Sequence, residues 1–158
     1  MKYSTRLSDA VHVLVLIYLN QDNGGISSAE IAESVHSNPA LIRQIMAELK
    51  AAELIESARG KAKPRLAAEP ARITLLNVYR AMEGRKPLLH IDTHINPACE
   101  AGTNIQYALG DFYARVQDVA ERELDGITLA DVVASYYEKL AASQGGGSSA
   151  DGETGAAS

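Results

Sequence analysis

Apolar side chains recur every three to four positions along most of the first 140 residues, which is the spacing of amphipathic helices. The first helix is predicted over 5–19, and a loop rich in Asn and Gly follows at 20–25. His12 falls on this helix, and we expect it to be a hydrogen-bonded structural histidine. The predicted apolar stripe consists of Leu7, Ala10, Val11, Leu14, Val15 and Tyr18.

Two further helices begin at capping signals. Ser27 and Glu30 form a capping box, in which each side chain accepts a backbone hydrogen bond of the first turn, and they predict a short helix over 28–35. Asn38 followed by Pro39 places an N-cap before a proline at the first helical position, which predicts a third helix over 39–52. The residues available to pack from this helix are Leu41, Ile42, Ile45, Met46 and Leu49.

The pattern then changes to two short extended segments. Residues 54–58 and 65–67 are predicted to be strands of a hairpin joined by a basic turn that contains Gly60 and Pro64. Thr74 caps a fourth helix, which runs through Met82 and is closed by Gly84. The order of these elements is that of a winged helix-turn-helix domain, predicted over 1–84, with the hairpin as its wing.

A long helix is predicted after an irregular linker, or sensor loop, at 85–102. Thr103 and Gln106 form the capping box that begins the helix, and Gly126 ends it. Its apolar residues alternate in steps of four and three, as in a coiled-coil seam. We call this set the α5 seam and predict that it mediates dimerisation: Ile105, Leu109, Phe112, Val116 and Val119.

The α5 seam would face water unless another surface covered it. Either a second copy of the chain or the chain's own first helix could do so, and a helix of roughly 34 Å is long enough for both. A short helix from Thr128 to about Leu140 completes the dimerisation segment, 103–140. The Gly-, Ala- and Ser-rich tail, 141–158, is expected to be disordered. The predicted fold is therefore mainly α-helical, with a small β-hairpin wing and a long C-terminal dimerisation helix.

Composition limits the class of protein. The chain has 158 residues, of which 46% are hydrophobic and 22% charged, as in a soluble globular domain. No apolar run approaches the roughly 18 residues that span a bilayer, so we expect a cytoplasmic protein without a membrane partner. Charge is divided unevenly, because residues 1–90 carry 12 Lys and Arg against 9 Asp and Glu, and residues 91–158 carry 3 against 11. A basic half of this kind favours a polyanion partner.

Double-stranded DNA is that predicted partner. The major groove admits one helix, in which Arg recognises guanine and Gln or Asn recognises adenine. Cations of a wing bind phosphates or enter the minor groove. The candidate DNA-binding residues are Ser28, Ser37, Asn38, Pro39, Arg43, Gln44, Arg59, Lys61, Lys63 and Arg65. The alternative from the residues alone is a protein-interaction or redox-sensing module that does not bind DNA.

Three stretches resemble the bacterial Rrf-type transcription regulators, the family of IscR, NsrR and CymR. They are MKYSTRLSDAVHVLVLIYL, ISSAEIAESVHSNPALIRQIMAELKAAELIESARG and RITLLNVYRAMEG. The pairs Asn38-Pro39 and Ile42-Arg43, together with NPACEAGTNIQ at 96–106, are most similar to its YwnA-like branch with a single cysteine. The resemblance covers about residues 1–140. It implies a homodimeric, sequence-specific DNA-binding regulator, usually a repressor, whose recognition helix is 39–52. Two copies related by a two-fold axis in turn predict a palindromic operator.

The chain departs from this family in two places. The family wing has a glycine-rich run and an aromatic residue after Arg-Gly, whereas this chain continues from Arg59-Gly60 with Lys61, Lys63 and Arg65. Many members bind an iron–sulfur cluster through three cysteines before the long helix. This chain has Cys99 alone, so we expect no iron–sulfur cluster and no other cofactor.

Cys99 is a candidate thiol sensor for a small-molecule electrophile or oxidant. A helix N-terminus and nearby cations favour the reactive thiolate, whereas the adjacent Glu100 disfavours it. The alternative is that the cysteine is a small structural side chain. A metal site formed by His90, His94 and Cys99, with or without His12, matches no regular zinc spacing. The sequence has no arrangement of an activated nucleophile, so we expect no enzyme.

Overall fold

The computed structural model describes residues 4–57, 63–92, 94, 96 and 98–145. They form a mainly helical fold with one antiparallel hairpin, in which Ile55 pairs with Leu66 and Glu56 with Arg65. The elements are α1 (Arg6–Asn20), α2 (Ser28–Val35), α3 (Pro39–Ala51), β1 (Ile55–Glu56), β2 (Arg65–Leu66), a 3₁₀ turn (Pro70–Arg72), α4 (Leu75–Glu83), α5 (Glu100–Gly126) and α6 (Leu129–Gly145). The predicted fold class is confirmed.

One apolar core holds the N-terminal elements and the start of α6 together. Its fully buried large side chains are Val13, Leu14, Ile17, Ile31, Ile42, Ile45, Leu49, Ile73, Val78 and Leu129. Burying each of them contributes about 1.5–3 kcal/mol to folding. His12 lies on the outer side of α1 and is exposed, so the prediction of a structural histidine is wrong.

The capping signals predicted for α2, α3 and α4 are present. Ser27 and Glu30 form a complete capping box, and Asn38 Oδ1 accepts a hydrogen bond from the backbone N–H of Ala40 at 2.8 Å. Thr74 caps α4, and Gly84 closes it with a φ of +65°, which a residue without a Cβ adopts readily. The local sequence therefore fixes where these helices begin and end.

The long helix begins earlier than predicted. Its N-cap is Cys99, whose Sγ accepts a hydrogen bond from the backbone N–H of Gly102 at 3.4 Å. Thr103 lies inside the first turn and donates its hydroxyl to the carbonyl oxygen of Cys99 at 3.2 Å. The predicted N-cap, Thr103, is thus four residues too late, and the capping box expected with Gln106 does not form.

The last helix is longer than predicted and is tied back to the core. Thr128 caps it with Asp131, as expected, and a short β-bridge joins Thr128 to Thr74. The helix continues through 141–145, so the prediction of disorder is wrong for those residues, and 146–158 lie outside the described residues. No helix in the described part of the chain is both long and apolar enough to cross a membrane.

Candidate nucleic-acid interface

Helices α2 and α3 form a helix-turn-helix pair. The chain turns at His36, which adopts a left-handed conformation with a φ of +53°, and the N–H of Ser37 donates to the carbonyl oxygen of Ala32 at 2.9 Å. Asn38 then caps α3, and Pro39 occupies its first position. Together these residues set the direction in which α3 leaves the turn.

The outer surface of α3 carries the predicted base-reading residues. Ile42 and Ile45 are buried in the core, whereas Arg43 and Gln44 between them are exposed. The other predicted residues of α2 and of the turn are accessible as well: Asn38 and Pro39 are exposed, and Ser28 and Ser37 are half-buried. The predicted DNA-binding residues of this pair are therefore all at least partly open to a ligand.

A hydrogen-bond chain that sequence analysis missed runs behind this surface. Gln44 Nε2 donates to Glu48 Oε1 at 3.2 Å, and Glu48 Oε2 forms an ion pair with Arg6 at the start of α1. Arg6 also donates to the carbonyl oxygen of Met82 at 3.2 Å. The spacing of Gln44 and Glu48, four residues apart on one helix, is the only part of this arrangement that the sequence could have indicated.

The described wing cations contact the protein itself. Lys63 Nζ donates to the carbonyl oxygen of Gly25 at 3.2 Å. Arg65 donates to the carbonyl oxygen of Gln21 at 2.6 Å and pairs with the Asp22 carboxylate at 2.9 Å. These contacts hold the second strand of the wing against the loop that joins α1 to α2. The other two predicted wing cations, Arg59 and Lys61, lie outside the described residues.

Helix α5 packs one face on α4 and exposes another. Arg80 pairs with Glu121 at 3.0 Å, and Gln117 donates to Glu121 at 2.7 Å. A hydrogen bond from Gln117 and, to a smaller extent, one from Arg80 hold the pKa of Glu121 below its ordinary value.

Most of the α5 seam is open to solvent, although its member Leu109 is half-buried. The other four members are exposed: Ile105 by 58%, Phe112 by 59%, Val116 by 48% and Val119 by 58%. The chain's own α1 therefore does not cover the seam.

The predicted sensor residue is exposed at the start of α5. Cys99 is a free thiol there. His90 and His94 are exposed in the preceding linker, and His94 Nδ1 lies 3.2 Å from a carboxylate oxygen of Asp92. Within the described ranges, no group of three or more His, Cys, Asp and Glu side chains is placed to hold a metal ion. These histidines and Cys99 are not brought together as ligands.

Known proteins of similar sequence and structure include regulators of transcription. YwnA of Bacillus subtilis (strain 168), named as an HTH-type transcriptional regulator, is 37% identical over 130 residues, which are 82% of this chain and 96% of that protein. A crystal structure described as that of a DNA-binding protein is also 37% identical, with a TM-score of 0.66 over 80% of this chain and 97% of that one. IscR of T. potens is 25% identical, with a TM-score of 0.66 over 96% and 94%.

A family model extends over most of the chain. The model of Rrf2, described as an iron-dependent transcriptional regulator, matches residues 3–135. This match agrees with the resemblance found in the sequence and with a protein that regulates transcription and is not an enzyme. The chain therefore belongs to the Rrf2 family of transcriptional regulators.

Proposed function

We propose that the protein is a homodimeric repressor that binds a palindromic operator with α3 in the major groove. The observation that carries this proposal is the exposure of Arg43 and Gln44 side by side on α3, a helix whose other face is buried. Arg forms two hydrogen bonds with guanine, and Gln forms two with adenine. The similarity to a protein described as DNA-binding supports the same partner. Such a regulator works where the DNA is, which for a bacterial protein is the cytoplasm.

A second copy of this chain is the partner proposed for the α5 seam. The five members of the seam follow one another in steps of four and three, and four of them are exposed, which matches the pattern with which two helices interlock. Two copies related by a two-fold axis would present two α3 helices to one duplex. Helices about one DNA turn apart would read the two halves of a palindrome. Repression follows if the dimer occupies a promoter.

The donor set does not fit the iron–sulfur cluster that the family description suggests. A cluster is held by several thiolates, and this sequence has one cysteine. We therefore propose that the protein binds DNA without a cluster. Iron and acid-labile sulfide should be absent from protein purified under argon, and a chelator should leave its operator affinity unchanged. A bound cluster with visible absorption would contradict this.

Cys99 is the proposed point of control by oxidants or electrophiles. Its thiol is exposed and also accepts the hydrogen bond that caps α5. A peroxide would oxidise Sγ to a sulfenic acid and be reduced to water, and an electrophile would form a bond to Sγ with loss of the thiol proton. Either product alters the group that caps the first turn of the proposed dimerisation helix.

A salt-dependent gel shift on the DNA beside the protein's own gene tests the main proposal. Arg43→Ala or Gln44→Ala should each reduce discrimination between operator and mutated operator by about 1–3 kcal/mol. Lys50→Ala, which removes an exposed cation from the other end of α3, is the matched control and should weaken binding to all sequences alike. A protein-interaction module is favoured instead if all three variants discriminate equally between operator and mutated operator, or if the wild-type protein binds no DNA in dilute buffer.

A further inference from the structure

Glu48 connects the proposed base-reading side chain to the body of the domain. One carboxylate oxygen accepts from Gln44 Nε2 at 3.2 Å, and the other is paired with Arg6. Arg6 is itself held by the carbonyl oxygen of Met82 at the end of α4. The side chains of Arg6 and Glu48 are 32% and 29% exposed, so this pair is partly shielded from water. The carboxylate is thus anchored on one side and in contact with Gln44 on the other.

The chemistry of the carboxylate determines how the amide of Gln44 is oriented. An ionised carboxylate can only accept hydrogen bonds, so the amide nitrogen of Gln44 must face Glu48 and its carbonyl oxygen must point away. The amide nitrogen has two hydrogens, and Glu48 engages one of them. The remaining N–H and the carbonyl oxygen are the donor and acceptor that adenine N7 and N6 require.

We propose that Glu48 is a positioning residue for base recognition, which holds Gln44 in the orientation that recognises adenine. This inference rests on the proposed function, in which α3 enters the major groove. Without Glu48, the glutamine amide would rotate freely, and binding would have to order it. It could also present its nitrogen in place of its oxygen, which would weaken the preference for one base.

Arg6 makes a carboxylate tolerable at this place. An unpaired negative charge on a helix in the major groove would repel the phosphates on either side. The ion pair with Arg6 neutralises Glu48, while the bond of Arg6 to Met82 fixes the guanidinium from α4. The two members of the pair should therefore differ in their main effect, with Glu48 acting mainly on base preference and Arg6 mainly on affinity for every sequence.

The experiment compares full-length variants on a panel of duplexes in which each operator base pair is changed in turn. Gln44→Ala identifies the base pair that Gln44 reads, as the position where about fivefold or more of discrimination is lost. At that position Glu48→Ala should lose at least half of the discrimination on a logarithmic scale. Glu48→Gln should fall between wild type and Glu48→Ala, because its one carbonyl oxygen has to serve both Gln44 and Arg6. Arg6→Met should weaken binding to all duplexes and should cost less discrimination than Glu48→Ala, because Glu48 keeps its contact with Gln44 but loses its anchor.

Controls separate positioning from stability and from charge. Glu33→Ala removes an exposed carboxylate from α2 and should change affinity on all duplexes alike. Thermal unfolding shows which variants remain folded at the assay temperature, and Glu48→Gln keeps the test valid if Glu48→Ala does not. The inference is overturned if Glu48→Ala discriminates as well as wild type at the base pair that Gln44 reads. It is also overturned if Glu48→Gln loses as much discrimination there as a folded Glu48→Ala. The proposed function itself fails if wild-type protein shows no preference for any duplex.

Discussion

The guanidinium of Arg65 lies 2.9 Å from the carboxylate of Asp22, forty-three residues earlier in the chain. The same guanidinium donates to the carbonyl oxygen of Gln21 at 2.6 Å, and Gln21 Oε1 in turn accepts from the backbone N–H of Leu66 at 3.1 Å. The second strand of the wing is thereby fixed to the loop between α1 and α2. Arg65 is consequently a wing anchor in this structure.

Removal of Arg65 should therefore cost more stability than removal of its acidic partner. The Arg65 and Asp22 side chains are 47% and 78% exposed, and such ion pairs contribute about 0–1 kcal/mol. We expect Asp22→Ala to lower the free energy of unfolding by less than about 0.5 kcal/mol. Arg65→Ala should lower it by about 1 kcal/mol more, because it also removes the bond to the Gln21 carbonyl. Urea unfolding measures both, and equal losses would contradict the anchoring role.

Gly25 lies in this loop beside Lys63 of the wing. It adopts a φ of +76°, and a Cβ there would lie 2.7 Å from Cβ of Lys63. Gly24 has a φ of +90°, and a Cβ at that position would have no neighbour within 4 Å, so Gly24→Ala adds backbone strain alone. We expect Gly24→Ala to lower the free energy of unfolding by about 1–2 kcal/mol and Gly25→Ala to lower it further. When combined with Lys63→Gly, the two alanine variants should lose about the same stability. If both lower the melting temperature equally without that change, the wing moves away from the added Cβ at no cost in stability.

The helices and their starts were largely predictable, because their signals are local. The capping box of Ser27 and Glu30 and the pair Asn38-Pro39 each act within one helical turn. The α5 start was missed because Cys99, an unusual N-cap, is used in place of Thr103. Likewise, periodicity placed His12 on α1 but did not show that α1 buries Val13 and Ile17 and turns His12 outward.

The site was predictable in its residue types and not in its contacts. Arg43 and Gln44 could be selected because a helix after a capped turn presents its first turns. The contacts of Lys63 and Arg65 with residues 21–25 join parts of the chain about forty positions apart. Only the tertiary fold determines such pairs. Residue type alone therefore predicts both cations as DNA ligands, whereas the structure also gives them a role within the domain.

A charge in the middle of the α5 seam should separate the proposed dimer. Phe112 is 59% exposed in the single chain, and a carboxylate at this place would be buried without a partner in the dimer. We expect Phe112→Asp to be monomeric at micromolar concentration by sedimentation equilibrium, with weakened binding to a full palindrome. Tyr107→Asp is the matched control, because Tyr107 is 73% exposed on another side of α5. A Phe112→Asp protein that remains dimeric would place the interface elsewhere.

The cap of α6 should make stability depend on pH. Hydrogen bonds from the backbone and hydroxyl of Thr128 hold the pKa of Asp131 below its ordinary value. A carboxylate with a lowered pKa in the folded state stabilises the protein above its unfolded-state pKa, and this contribution is lost as pH falls through the folded-state pKa. Asp131→Ala should thus lower the melting temperature at neutral pH, and the difference from wild type should shrink in acid. Asp111→Ala removes a carboxylate from α5 without disturbing a cap and serves as the control. A difference that stays constant down to strongly acidic pH would contradict this account.

Oxidation of Cys99 should release the operator if this residue is the proposed sensor. Cys99→Ser keeps an oxygen that can accept the bond from the backbone N–H of Gly102, so the variant should retain the cap, the fold and the affinity for DNA. Peroxide or a quinone should then weaken operator binding by wild-type protein several-fold and leave Cys99→Ser unaffected, and a thiol reductant should reverse the peroxide effect at the sulfenic acid stage. Mass spectrometry of the peptide that contains Cys99 distinguishes modification of this residue from oxidation of the three methionines of the chain. Equal release of DNA by both proteins would remove Cys99 from the mechanism, and modification of wild type without release would make it a structural cap.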